Sequence, residues 1–178
     1  MPSSRLIFLV VLIVGSIFSR LLPHPPNFTA MGAAAIFAGA FFSEGSYRRL
    51  SLLIPILAMI VSDWVLGFHA LTGVVYIALS LNCWLGSRIG QAGSVVKFAG
   101  TGLVTGTLFY LITNLGVWAL QDMYPHTLDG LMTCYAAALP FLGNSIAGDV
   151  LFTVALVSAL RLAEKYLPAV RSVQAVRA

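Results

Sequence analysis

Six apolar runs constrain this chain more than any other feature: residues 6–22, 29–42, 50–68, 71–87, 95–120 and 140–162. A helix needs roughly 20 apolar residues to cross the hydrocarbon of a bilayer, and most of these runs are near that length. No single soluble core could bury them all. Of the 178 residues, 59% are hydrophobic and only 9% charged, against about 45–50% and about 25% in soluble domains. The expected fold is all-α, an integral membrane bundle of six transmembrane helices forming a single domain over 1–178. The run at 29–42 is short, since about 14 residues rise only about 21 Å against a core about 30 Å thick. It must borrow neighbouring residues, tilt little or be re-entrant. In the first run the stretch from Leu6 to Phe18 follows Arg5 and precedes Arg20, with no small-x-small site to close it. It is therefore expected to stay as a helix and not to be cleaved as a signal peptide.

Charge orients the bundle. With both termini cytoplasmic, Arg5, Arg48, Arg49, Arg88, Lys97, Arg161, Lys165, Arg171 and Arg177 fall inside and Arg20 alone outside, as the positive-inside bias requires. The pI of about 9.4 then reflects flanks that meet anionic lipid. No aromatic-interleaved basic motif points to nucleic acid.

That orientation collects polar groups on the outer side. His24, His69 and His126 fall in or beside outer loops, Asp63 and Trp64 near the outer end of the third run, and Asn114 and Trp118 near that of the fifth. Asn144 lies a turn into the sixth run, and Asp149 deeper. Such groups are expensive in a bilayer, so Asp63, Asn114, Asn144 and Asp149 should face the bundle interior, pair with one another or line a wet cavity. The connection 121–140, with Asp122, Tyr124, His126, Asp129, Cys134 and Tyr135, reads as an outer lid or half-helix. In "PHPPNF", Pro25 and Pro26 stop a helix and stiffen the connector. The result is either a plain turn with His24 among headgroups or a rim that holds His24 and Asn27 over a cavity. The candidate substrate-binding residues are His24, Asn27, Asp63, Trp64, His69, Asn114, Trp118, Tyr124, His126, Tyr135, Asn144 and Asp149, the aromatic ones supplying apolar walls.

Ala30, Ala34 and Ala38 recur at spacing four beside Ala35 and Gly39. Small side chains let helices approach closely in lipid, so this stripe is either an internal packing surface or a docking face for another membrane subunit. Cys83 and Cys134 are too few for a disulfide framework. Each either packs as a small apolar residue or offers a soft metal ligand alongside histidine, although no CxxC pair or HExxH spacing marks a zinc site. Phosphate-loop, GxSxG and GxGxxG motifs are missing, so neither nucleotide hydrolysis nor a familiar hydrolase is encoded. No intrinsic cofactor is expected, and uphill transport would need another subunit or an ion to drive it.

Four blocks in order, "RLLPHPPNFTAMGAAAIFAGAFF" (20–42), "SDWVLGFH" (62–69), "TNLGVW" (113–118) and "CYAAALPFLGNSIAGD" (134–149), carry a resemblance. The chain resembles a bacterial family of small uncharacterised six-helix membrane proteins. Those are similar in size and layout to the substrate-binding S-components of energy-coupling-factor vitamin transporters. The resemblance implies a bacterial cytoplasmic (inner) membrane location, a vitamin cavity under outer loops and a separate energising module of ATPases and a coupling subunit. It departs from the pattern in one respect, because the alanine-spaced face falls on the second run and not the first. A solitary, BtuM-like type holds the cobalt of cobalamin through a cysteine, which makes Cys134 and Cys83 candidate axial ligands and cobalamin the named ligand.

The expected function is that of a membrane-embedded binding and uptake protein for a vitamin or cofactor-like small molecule. Two alternatives stand beside it: a structural or assembly subunit of a membrane complex, and an intramembrane enzyme using Asp149, His126 or Cys134, for which no catalytic spacing speaks.

Overall fold

The computed structural model describes residues 3–42 and 49–170, without the side chains of Ser3 and Arg5. Of the charge pattern above, the Arg5 side chain, Arg48, Arg171 and Arg177 lie outside the described residues. Among the described residues the chain forms six α-helices and no strand: α1 (Ser3–Leu21), α2 (Met31–Phe42), α3 (Leu50–Leu66), α4 (Thr72–Ile89), α5 (Val95–Leu120) and α6 (Leu128–Tyr166). A short 3-10 turn, Pro168–Val170, follows. Two helices, α5 and α6, are long and apolar enough to cross a membrane, while α2 and α3 are apolar but shorter.

Local chemistry explains most of the boundaries. Gly67 ends α3 at φ 96° and donates its amide to the Asp63 carbonyl, while Gly90 ends α4 at φ 66°; glycine takes this left-handed geometry without steric penalty. Ser94 caps α5 and Thr127 caps α6, their hydroxyls accepting from the Lys97 and Gly130 amides. The start of α2 is capped from another helix: Ser19 of α1 accepts from the Ala30 amide at 2.9 Å.

α2 is the axis of the bundle. All twelve of its residues are buried, and it touches each of the other five helices. Glycine makes this possible where it meets α4. A Cβ on Gly39 would overlap the Cys83 carbonyl, and one on Gly86 would overlap the Ile36 carbonyl. The stripe of Ala30, Ala34, Ala38 and Gly39 therefore packs inside the chain and leaves no face for an outside subunit. Below it, Phe37, Phe41 and Phe42 meet Phe98, Leu9, Ile13, Val157 and Leu160 in the largest apolar cluster. The outward faces carry large apolar side chains instead: Ile7, Val11 and Phe18 on α1, Leu53, Leu57 and Val61 on α3, and Leu139, Leu151 and Leu162 on α6.

The sixth helix corrects the expected boundary. It begins at Leu128 rather than at residue 140, and Pro140 lies within it. Most of the expected lid is thus the first three turns of a helix that runs 39 residues. Proline deprives the Ala136 carbonyl of its i+4 amide, but packing against α5 holds the helix through it. Tyr110 donates to the Tyr135 carbonyl at 2.6 Å and Tyr135 to the Leu111 carbonyl at 2.8 Å, a reciprocal clasp across the two helices.

A second internal proline accounts for Cys83. Pro55 in α3 has no amide to give the Ser51 carbonyl, and the buried Cys83 thiol donates to that carbonyl at 3.0 Å. Cys83→Ala should lower stability by about 1 kcal/mol, the net worth of an ordinary hydrogen bond, and Cys83→Ser should recover part of it. Denaturation in mixed micelles measures both; a serine variant no better than alanine would argue against the bond.

Candidate functional site

At the end of the bundle where α1 stops and α2 begins, the helices splay around a cavity of about 370 Å³. Its wall draws on every helix and on two loops. The helical period selects who faces it: Phe109, Thr113 and Val117 at i, i+4 and i+8 of α5, Phe141, Ser145 and Asp149 at the same spacing on α6, and Val75 and Leu79 on α4. Between the ends of α1 and α2, the proline elbow contributes His24, Asn27 and Thr29.

The elbow is held from several directions. Asn27, at φ 64°, is the one non-glycine residue of positive φ among the described residues. Asparagine tolerates that conformation better than most side chains. The Phe28 amide donates to the Pro25 carbonyl at 3.0 Å, closing a tight turn. Asn144 Nδ2 donates to the Pro26 carbonyl at 3.0 Å, and the Phe28 ring packs on Phe152 with centroids 5.4 Å apart. His24 is bracketed by two carbonyls, Nδ1 lying 2.8 Å from that of Pro25 and Nε2 3.2 Å from that of Arg20. Its ring thus fastens the elbow to the end of α1.

Arg20 is the wall residue that the positive-inside count singled out without explaining. Its Nη1 lies 2.5 Å from Asp63 Oδ1 in an ion pair. The same nitrogen donates to Ser62 Oγ at 2.5 Å, and Tyr76 donates to Asp63 Oδ2 at 2.9 Å. Asp63 is fully buried. α1, α3 and α4 are joined by this network, which presents Arg20 to the cavity already neutralised.

Asp149 forms the deep end of the wall. It is 7% exposed, and its Oδ2 accepts from Thr105 Oγ1 at 2.7 Å. A Cβ on Gly32 would overlap Oδ1, so only glycine leaves room for the carboxylate beside α2. Asn114 donates its Nδ2 to the Tyr110 carbonyl at 2.8 Å, leaving its amide oxygen for the cavity. His69 Nδ1 accepts from the Leu71 amide at 3.2 Å, which fixes a tautomer that carries its proton on Nε2.

Of the candidate binding residues, the structure brings His24, Asn27, His69, Asn114 and Asp149 to the cavity wall. It places the others elsewhere. Asp63 acts on the wall only through Arg20. Trp64 is 81% exposed on the outer face of α3. Trp118 donates Nε1 to the Pro125 carbonyl at 3.0 Å and meets the exposed His126 edge-on at 5.6 Å, closing the loop beyond α5. Tyr124 is half-buried in that loop and does not reach the wall. Tyr135 is held by its clasp, and Asn144 holds the elbow from behind. Both cysteines are buried away from the wall, Cys134 with its thiol 3.5 Å from the Asn114 carbonyl. Among the described residues no three His, Cys, Asp or Glu side chains are grouped to hold a metal ion.

Other residues outside the candidate set also line the wall, Arg20, Thr29, Gly32, Thr113 and Ser145 among them, with Thr105 just behind Asp149. The single basic residue on the outer side was the available signal for Arg20. For Ser145 it was the four-residue step to Asp149.

A family profile described as a family of unknown function (DUF6580) matches residues 2–170. No curated protein and no solved structure matches the chain.

Proposed function

Because the chain belongs to this family of unknown function (DUF6580), its activity has to be read from its own cavity, and we infer a membrane-embedded binding and uptake protein for a vitamin or cofactor-like small molecule. The observation that carries this reading is the cavity, in which nine polar residues from α1, two loops, α5 and α6 meet between apolar walls. Pockets of roughly 300–1,000 Å³ with a few convergent polar groups are the usual form of small-molecule sites.

The outward-facing apolar stripes of α1, α3 and α6 support a six-span bundle in lipid, since a surface of that kind is not kept in water. With the basic residues at the opposite helix ends, the cavity opens to the outer side of a bacterial inner membrane. That arrangement supports the S-component-like reading, with a separate energising module emptying the site inward. The cavity lies near the small end of the usual range, and both thiols lie outside its wall. This favours an occupant smaller than the cobalamin that the family resemblance suggested.

Protein extracted with its native lipids should retain a small molecule detectable by native mass spectrometry. Val117→Trp, which fills the wall of α5, should reduce occupancy about tenfold, the equivalent of about 1.4 kcal/mol, without unfolding the bundle. Retention undiminished by this substitution would place the binding site elsewhere.

A further inference from the structure

We propose that the cavity selects an organic cation, an amine or amidine on an apolar body, and that Asp149 receives its charged end. The inference rests on the binding function proposed above and names the chemistry of its ligand.

Asp149 is the one acidic side chain among the residues that line the cavity. Arg20 is neutralised by Asp63 at 2.5 Å. His69 accepts at Nδ1, and His24 is engaged with the carbonyls of Pro25 in the elbow and Arg20 in α1. Asp149 is left. Among the described residues no Lys or Arg lies within ion-pair distance of it, and its one side-chain donor, Thr105, bonds Oδ2 alone.

The carboxylate is buried, at 7% exposure, between α2 and α5 at the cavity wall. Gly102 and Gly148 let the main chain of α6 come close to α5 and to the elbow, which fixes where Asp149 sits. Gly32 makes room for Oδ1 on the side of α2 and itself lines the cavity. A carboxylate so enclosed is costly to bury without a counter-charge, and the cavity is where a ligand can bring one. Met31, Met59, Leu79, Phe109 and Phe141 line the remaining wall, suited to an apolar ring or chain. Arg20, already paired, offers hydrogen bonds to a neutral acceptor at the outer end but no net positive charge to attract an anion.

Three probes of one shape separate these possibilities: 1-naphthylmethylammonium, 1-naphthylmethanol and 1-naphthoate, titrated calorimetrically against the full chain in lipid nanodiscs. The ammonium should bind at least about tenfold tighter than the other two, the gain expected of a charge-assisted hydrogen bond. Asp149→Asn should bring the ammonium to within about threefold of the alcohol, with a helical circular-dichroism spectrum and a cooperative thermal melt like those of the wild type showing that the variant is folded. Thr105→Val, which keeps the charge but frees the carboxylate, should reduce the preference without abolishing it. Preference for the alcohol or the naphthoate would overturn the inference and leave the cavity's binding function standing, as would an ammonium preference unchanged in Asp149→Asn. Failure of all three probes to bind would count against both.

Discussion

Replacing Asp63 with alanine is expected to destabilise the protein by about 3–5 kcal/mol, the range for breaking a buried ion pair from one side. The carboxylate is fully buried and Arg20 is only 15% exposed, so the guanidinium left behind has little water to turn to. Tyr76 loses its acceptor in the same step. What makes the single substitution damaging is the orphaned charge. Arg20→Met combined with Asp63→Leu should therefore recover most of the stability, because an apolar pair of similar volume removes both charges together. Denaturant titration in mixed micelles would show the three variants in the order wild type, double, single. A double variant as unstable as Asp63→Ala would mean that the network contributes through its shape and hydrogen bonds instead.

Gly86→Ala should be nearly as severe, at about 3 kcal/mol, the upper end of the usual overpacking range. Its Cβ would meet the Ile36 carbonyl, part of a backbone that cannot rotate out of the way. Gly39→Ala meets the Cys83 carbonyl across the same crossing, so both should push α4 away from α2. Gly100 on α5 is the control, with open space where its Cβ would be. Alanine there should be neutral or stabilise by about 0.5–1 kcal/mol, as expected from helix propensity. Equal effects at Gly86 and Gly100 would show that α2 and α4 do not meet backbone to backbone at Gly86.

The fold was legible in the sequence to the extent that apolar runs and breakers define helices. Five of the six helices fall close to the expected runs. The sixth differs because a proline inside a helix and one that ends a helix look alike in sequence. The distinction lies in the α5 packing and the tyrosine clasp that hold α6 through Pro140.

The site was legible more coarsely. Placement at one end followed from loops and charge, but the choice of wall residues depended on rotation about each helix axis. Phe141, Ser145 and Asp149 share a face that Asn144 does not. A four-residue step from Asp149 would have selected Ser145 and set Asn144 aside. Trp64 lies about 100° further round α3 than Asp63, and the rotation that buries Ser62 and Asp63 leaves the indole 81% exposed. The pairing of Arg20 with Asp63 joins residues one further apart than its bond to Ser62, which spans 42, and only the fold brings them together.

Thiol accessibility tests the central claim most directly. Thr29, Thr113 and Ser145 would each be changed to cysteine, with Leu160→Cys as a buried control, and intact cells treated from outside with a small, charged, membrane-impermeant methanethiosulfonate. The three cavity positions should react and Leu160→Cys should not, while the native Cys83 and Cys134 stay unlabelled in their buried sites. Cavity positions no more reactive than Leu160→Cys would contradict an outward-opening polar cavity, and the function built on it would fall.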